Sequence, residues 1–155
     1  MSIASSGNIE KILAETGVYP SVTVGVSMRP LFKTHRDMVI LEKPSDKLKK
    51  YDVVLYKTGE KYILHRIIDV DELNSVYIIR GDNTYKKEYV SFDAVIAKLV
   101  SFKRKGKSFS VENRGYRVYS RVWNFIYPIR FVYHLLLIPP KKAYRILFKK
   151  KKPTI

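Results

Sequence analysis

The sequence predicts a mainly β fold: a compact antiparallel β-domain with a short N-terminal helix and a C-terminal amphipathic helix. Three observations lead there. Seven short runs rich in Val, Ile and Tyr, separated by polar turn residues, fill the stretch from Ser21 to Glu112. Helical spacing of apolar residues appears only before and after them. The 155 residues, 46% apolar, are enough for one core plus an appendage and too few for a multidomain assembly.

In order, Asn8 to Glu15 sets Ile9, Ile12 and Leu13 on one helical face, and Gly17 follows where a helix end favours it. The strands are expected at Ser21 to Val26, Met38 to Glu42, Asp52 to Lys57, Lys61 to Val70, Ser75 to Arg80, Ala94 to Lys103 and Ser108 to Glu112. Gly59 marks a hairpin. A turn centred near Leu73 sets position 65 opposite about position 81, which makes His65 a neighbour of the Gly81-Asp82 corner. From Arg114 the period changes: Val118, Val122, Phe125, Ile126 and Ile129 form one apolar helical face, with a kink expected at Pro128. The chain thus divides into a β-domain over 1–113 and a basic helical tail over 114–155.

Charge follows the same division. The formal net charge is +16, but up to Asn113 there are 19 basic and 14 acidic residues, whereas from Arg114 onward there are 11 basic and none acidic. A basic tail on a nearly balanced domain argues against specific nucleic-acid binding by the whole protein. With no cysteine there are no disulfides and no thiolate chemistry. The opening residues, MSIASSGNIEKIL, resemble neither a secretory signal nor a membrane anchor, so a cytoplasmic location is expected.

The sharpest chemical signal is GVSMRP, Gly25 to Pro30, at the end of an apolar strand. A serine exposed there can act as a nucleophile if a base takes its proton. LHRII, Leu64 to Ile68, puts His65 on a strand face with Ile63 and Ile67, and Arg66 on the other face. Gly81-Asp82-Asn83 follows the next strand. Each has an ordinary reading: a turn cap, a hydrogen-bonded core histidine, an Asx turn. Together they supply a nucleophile, a base and an orienting carboxylate.

In order and spacing, SMRP, Tyr51-Asp52-Val53-Val54, LHRII and RGDN resemble the signal peptidase I superfamily of serine peptidases, which also contains the LexA-type repressors. The resemblance covers about Ser21 to Lys107 and is closest to small bacterial members without an N-terminal membrane span. It implies a LexA/signal-peptidase-like β-domain, Ser27 as nucleophile and His65, where many members carry lysine, as general base. It also implies an acidic residue several positions beyond the GDN corner, which falls on Glu88. Two carboxylates therefore compete: strand register favours Asp82, family spacing favours Glu88, and Glu88 has a plainer reading as a surface partner of Lys86 or Lys87. Backbone N–H groups near Ser27, with the hydroxyls of Ser21 or Thr23, are the candidate oxyanion donors.

The expected function is a serine endopeptidase acting on a peptide or leader-like substrate. The competing reading is a non-enzymatic module that binds anionic membrane or nucleic acid through its tail. No cofactor and no metal are expected: His35 and His134 lack partners at ligand spacing, and the seven glycines form no phosphate loop. Asp37 and Asp52 fit turns, and Tyr51, Tyr56 and Tyr62 fit half-buried strand positions. The tail, Arg114 to Ile155, is interrupted by Arg121, Asn124, Arg130 and His134, which disfavours a membrane span. Trp123, Tyr127, Phe131, Tyr133 and the seven basic residues between Lys141 and Lys152 suit peripheral contact with an anionic membrane surface.

Overall fold

The computed structural model describes residues 1–3 and 9–137; the basic run Lys141 to Lys152 lies outside the described residues. The elements are β1 (Ser2–Ile3), α1 (Ile9–Thr16), β2 (Val18–Val24), β3 (Met38–Glu42), β4 (Val53–Thr58), β5 (Lys61–Asp71), β6 (Val76–Arg80), β7 (Glu88–Ser91), β8 (Val95–Arg104), β9 (Lys107–Ser110), α2 (Arg114–Phe125) and α3 (Tyr127–Leu137). The mainly antiparallel β class is as the sequence predicts. Two strands were not expected, β1 and β7, and among the described residues the tail forms two helices rather than one kinked helix. The break falls at Ile126, two residues before Pro128, because proline can supply no N–H to the preceding turn.

All strand pairs are antiparallel, in the order β1-β2-β3-β8-β4-β5-β6-β7, with β9 on β8. Because β1 also pairs with β5 through Ser2 and Ile63, six strands close a circuit, and its joint is only two residues long. Inside the circuit lies the main core, built from Ile9, Phe32, Val39, Leu55, Leu64 and Leu99 among others. A second cluster, around Val54, Tyr56, Ile67 and Ile79, covers the other face of β4 to β6. Strands β4 and β5 lie between the two and are buried on both faces, which is why Val53–Tyr56 and Leu64–Ile67 do not alternate polar and apolar. Pairing of Arg66 with Arg80 carries the register on to 65 opposite 81, as expected.

The helices dock on the sheet through polar and aromatic groups. Arg66, fully buried, grips Asp82 with Nε and Nη2 at 2.8 and 2.9 Å. Its Nη1 donates to the Tyr51 carbonyl and to the Ser120 and Tyr116 hydroxyls. Tyr119 donates to the Asp82 carboxylate, and Trp123 and Arg130 donate to the Asp82 carbonyl. Arg80 lies over the Tyr127 ring at 3.3 Å, and His134 stacks on Tyr85 at 4.1 Å. Val118, Val122, Phe125 and Ile129, the face expected to be apolar, point outward instead of into a core. Among the described residues no helix is long and apolar enough to cross a membrane.

Removing one partner of a buried ion pair leaves an uncompensated charge. Asp82→Ala should therefore cost about 3–5 kcal/mol of folding free energy. The measurement is the urea unfolding midpoint; a midpoint within error of the parent contradicts this role for the pair.

Candidate active site

Gly25, at φ +101°, turns the chain out of β2 and into the loop that carries Ser27. Met28, Leu31 and Phe32 anchor that loop from below in the main core. From the side, the Asn83 N–H donates to the Ser27 carbonyl at 2.7 Å, and the Asn83 side chain donates to the Val26 carbonyl. The corner approaches so closely that a Cβ on Gly81 would lie 2.7 Å from the Ser27 carbonyl oxygen and 3.0 Å from His65 Nε2. Only glycine leaves room for serine and histidine to meet.

They do meet: Ser27 Oγ lies 2.8 Å from His65 Nε2. Behind the imidazole, Nδ1 is 3.2 Å from the Tyr56 hydroxyl and 3.9 Å from Glu88 Oε1. The Tyr56 hydroxyl donates a short hydrogen bond to Glu88 Oε2, so its oxygen is left to accept from Nδ1–H. That order of donors and acceptors selects the tautomer in which Nε2 is free to take the serine proton. Burial and then Glu88 hold the Tyr56 hydroxyl well above the usual tyrosine range, which keeps it protonated.

The two carboxylates go to different places. Glu88, on β7 opposite Ile79, shares the sheet face of Ile67 and His65 and reaches the dyad through Tyr56. Asp82 does not reach His65. Side chains alternate along a strand, so the residue after Gly81 falls on the face of Arg66, and its carboxylate is taken up there. The observed register thus makes Gly81 the neighbour of the base, and not Asp82 as the sequence reading expected. Tyr56, read from sequence as an ordinary strand residue, is nearly fully buried within the site. The Thr23 hydroxyl donates to the Lys33 and Asp37 carbonyls and the Ser21 hydroxyl to the Val22 carbonyl, so both hydroxyls have backbone partners of their own. Among the described residues no group of three or more acidic or histidine side chains could hold a metal ion.

An unforeseen group completes the site. The α-amine of Met1 donates a short bond to Ser27 Oγ and lies 3.0 Å from His65 Nε2. Burial lowers this amine from 8.0 to about 6, against an opposing pull from Glu88. Burial, and then the cationic amine, lowers His65 from 6.5 to about 3. An open cleft of about 380 Å³ borders the nucleophile loop, between Arg29 and Pro30 on one side and Trp123 and Arg130 on the other.

Both bases bind protons more weakly folded than unfolded, so acidification favours the unfolded chain, first between pH 8 and 6 through the amine and then between pH 6.5 and 3 through His65. The urea midpoint should therefore fall steadily from pH 8 to pH 4. His65→Gln should abolish most of the lower part of that slope and keep the upper part; a flat profile above pH 4.5 contradicts the burial of both groups.

Compared with protein-family models and with curated proteins, the chain matches none.

Proposed function

We propose that the protein is a serine endopeptidase of signal-peptidase-like type that cleaves a peptide or leader-like substrate, with Ser27 as nucleophile and His65 as general base. The observation that carries this reading is the 2.8 Å contact between Ser27 Oγ and His65 Nε2, with Nδ1 backed by Tyr56 and Glu88. A buried histidine that is neutral near pH 7, held in one tautomer and in contact with a loop serine, is the arrangement general-base catalysis needs. Ser27 Oγ attacks the scissile carbonyl while His65 Nε2 takes the hydroxyl proton. The tetrahedral intermediate collapses, the C–N bond breaks, and the same proton passes to the leaving nitrogen. Water, deprotonated by His65, then releases the acyl group from Ser27. Backbone N–H groups at the Ser27 turn are the candidates for steadying the oxyanion. Tyr56 and Glu88 act as positioning residues: they orient the ring and disperse the charge of the imidazolium.

A fluorophosphonate probe should label the protein, and Ser27→Ala and His65→Ala should each abolish labelling. Peptide cleavage by Tyr56→Phe should fall by about one to two orders of magnitude, within the usual worth of a group that tunes a general base. Absence of labelling at every pH from 5 to 10 favours the non-enzymatic module instead.

A second observation supports peripheral binding to an anionic membrane, on the inner face in a cytoplasmic protein. Val118, Val122, Phe125, Ile129, Val132 and Leu136 form one outward row along α2 and α3, with Phe125 at 84% and Leu136 at 78% exposure. Exposed Arg114, Arg117 and Arg121 accompany it. Fully burying such side chains is worth about 1.5–3 kcal/mol each, and each cation near anionic lipid adds about 1 kcal/mol. Full-length protein should sediment with phosphatidylglycerol vesicles at low salt, and Phe125→Ser with Ile129→Ser should release it. Equal sedimentation of parent and double variant rejects this surface.

A further inference from the structure

A second cavity, of about 200 Å³, lies between the loop that joins β3 to β4 and helix α2, and none of its lining residues belongs to the Ser27 site. Lys49 and Lys50 line it from the loop, and Tyr116, Arg117, Ser120 and Arg121 from the helix. Two carboxylates also reach it, and both are engaged. Asp52 accepts the Lys49 N–H at 2.9 Å, and Glu112 pairs with Arg117. Lys49, Lys50 and Arg121 make no ion pair among the described residues, so the cavity carries unbalanced positive charge.

The hydroxyls in this cavity add donors of their own. An arginine can only donate, so Ser120 Oγ and the Tyr116 oxygen, at 2.8 and 3.2 Å from Arg66 Nη1, act there as acceptors. Each hydroxyl keeps its own proton, and among the described residues neither proton has an acceptor. Ser120 is only 2% exposed, and a buried O–H left without an acceptor costs free energy. The loop opposite is fixed in place. Its Asp52 N–H donates to the Lys49 carbonyl, and Tyr51, at φ +82°, is pinned by its N–H to the Ile67 carbonyl and by its own carbonyl to Arg66.

We infer that this cavity is a binding site for a phosphate ester. Fixed hydroxyl donors among cations call for a ligand that only accepts and carries more than one negative charge. A phosphate group brings about −1.5 to −2 charges and three strong acceptor oxygens, where a carboxylate brings one charge and two oxygens. Arg121 supplies the planar fork that such oxygens meet in pairs. The volume is below the roughly 300–1,000 Å³ of sites that enclose a drug-sized ligand, so the phosphate and a few attached atoms enter while the remainder stays outside. Two sources share that chemistry. A soluble phosphate ester is one; a lipid headgroup is the other, since Arg117 and Arg121 directly precede Val118 and Val122 of the outward apolar row. The site stands apart from the peptidase reading, and labelling of Ser27 does not enter its test.

Glycerol phosphate titrated into the full chain should shift the Tyr51 and Ser120 amide NMR signals, saturating with a dissociation constant of about 1 mM or below. Lys50→Gln with Arg121→Gln, both at exposed positions, should weaken this binding about tenfold or more, the worth of a hydrogen bond to a charged group. Lys105→Gln with Lys107→Gln removes the same charge at the β8–β9 turn and should leave it unchanged. Phosphatidylglycerol vesicles at about 0.15 M salt, where screening acts over about 8 Å, then separate the sources. Sedimentation weakened at least about tenfold by the first pair and little by the second identifies a lipid headgroup, by the same hydrogen-bond arithmetic. Equal effects of the two pairs on sedimentation, with glycerol phosphate still bound, identify a soluble ester. Signals that do not shift, that shift equally with chloride at the same ionic strength, or that respond equally to both pairs overturn the site.

Discussion

The buried pair of Arg66 and Asp82 is the contact on which the other parts of the structure depend. A guanidinium removed from water must have its donors satisfied, because an unpaired buried charge costs several kcal/mol. Asp82 takes two of the donors in a bidentate fork, and Tyr51, Tyr116 and Ser120 share the third nitrogen. Satisfying one side chain therefore ties together the strand that carries His65, the corner that presses on Ser27, and helix α2. The fork also sets angles, since a planar guanidinium meets a carboxylate properly in one plane. The separation between base and nucleophile follows from where that fork holds the Gly81 corner.

Strand periodicity then assigns the chemistry. Successive side chains of β5 face opposite sides, so the polar group that locks the fold, Arg66, and the polar group that meets Ser27, His65, are neighbours in sequence yet belong to different environments. The same alternation separates Gly81 from Asp82. One carboxylate is consumed in anchoring the helices, and the second, Glu88, reaches the base from a different strand. Tyr56 bridges the remaining distance, and its hydroxyl passes orientation from Glu88 to the imidazole without bringing a second full charge against it.

How far this was readable from sequence depends on the range over which each signal acts. Ser27 and His65 stand in short motifs whose spacing survives without a structure, and the hairpin register brought 65 and 81 together correctly. The error over Asp82 came from treating the corner as one point, when a single step along it changes faces. Tyr56 carried no local mark, since a tyrosine on a strand looks the same whether it packs or relays a hydrogen bond. Glu88 was found by motif offset, but strand β7, four residues long, was too short for any periodicity to reveal. Strand β1 was less readable still: two residues become a strand only because two distant strands leave a gap for them.

The helices invert a familiar expectation in a way that bears on access to the site. An amphipathic helix ordinarily buries its apolar stripe, yet in α2 and α3 the stripe faces outward. The inner face must instead supply acceptors to Arg66 and Arg80, from the Ser120 hydroxyl and the Asn124 side-chain carbonyl, and hydroxyl, indole and guanidinium donors to Asp82, which no aliphatic side chain could provide. Hydrogen-bond demand from the sheet outweighed the hydrophobic gain of the opposite rotation, because unsatisfied buried polar groups cost more than exposed Val and Ile. The outward row and the wall of the cleft beside Ser27 are consequently two sides of the same helices. A lipid-bound row would hold the cleft roughly one helix diameter, about 10 Å, from the interface. In the proposed peptidase, attachment and catalysis are thus coupled by thickness alone, and the substrates best served are peptides that lie along or emerge from a membrane surface.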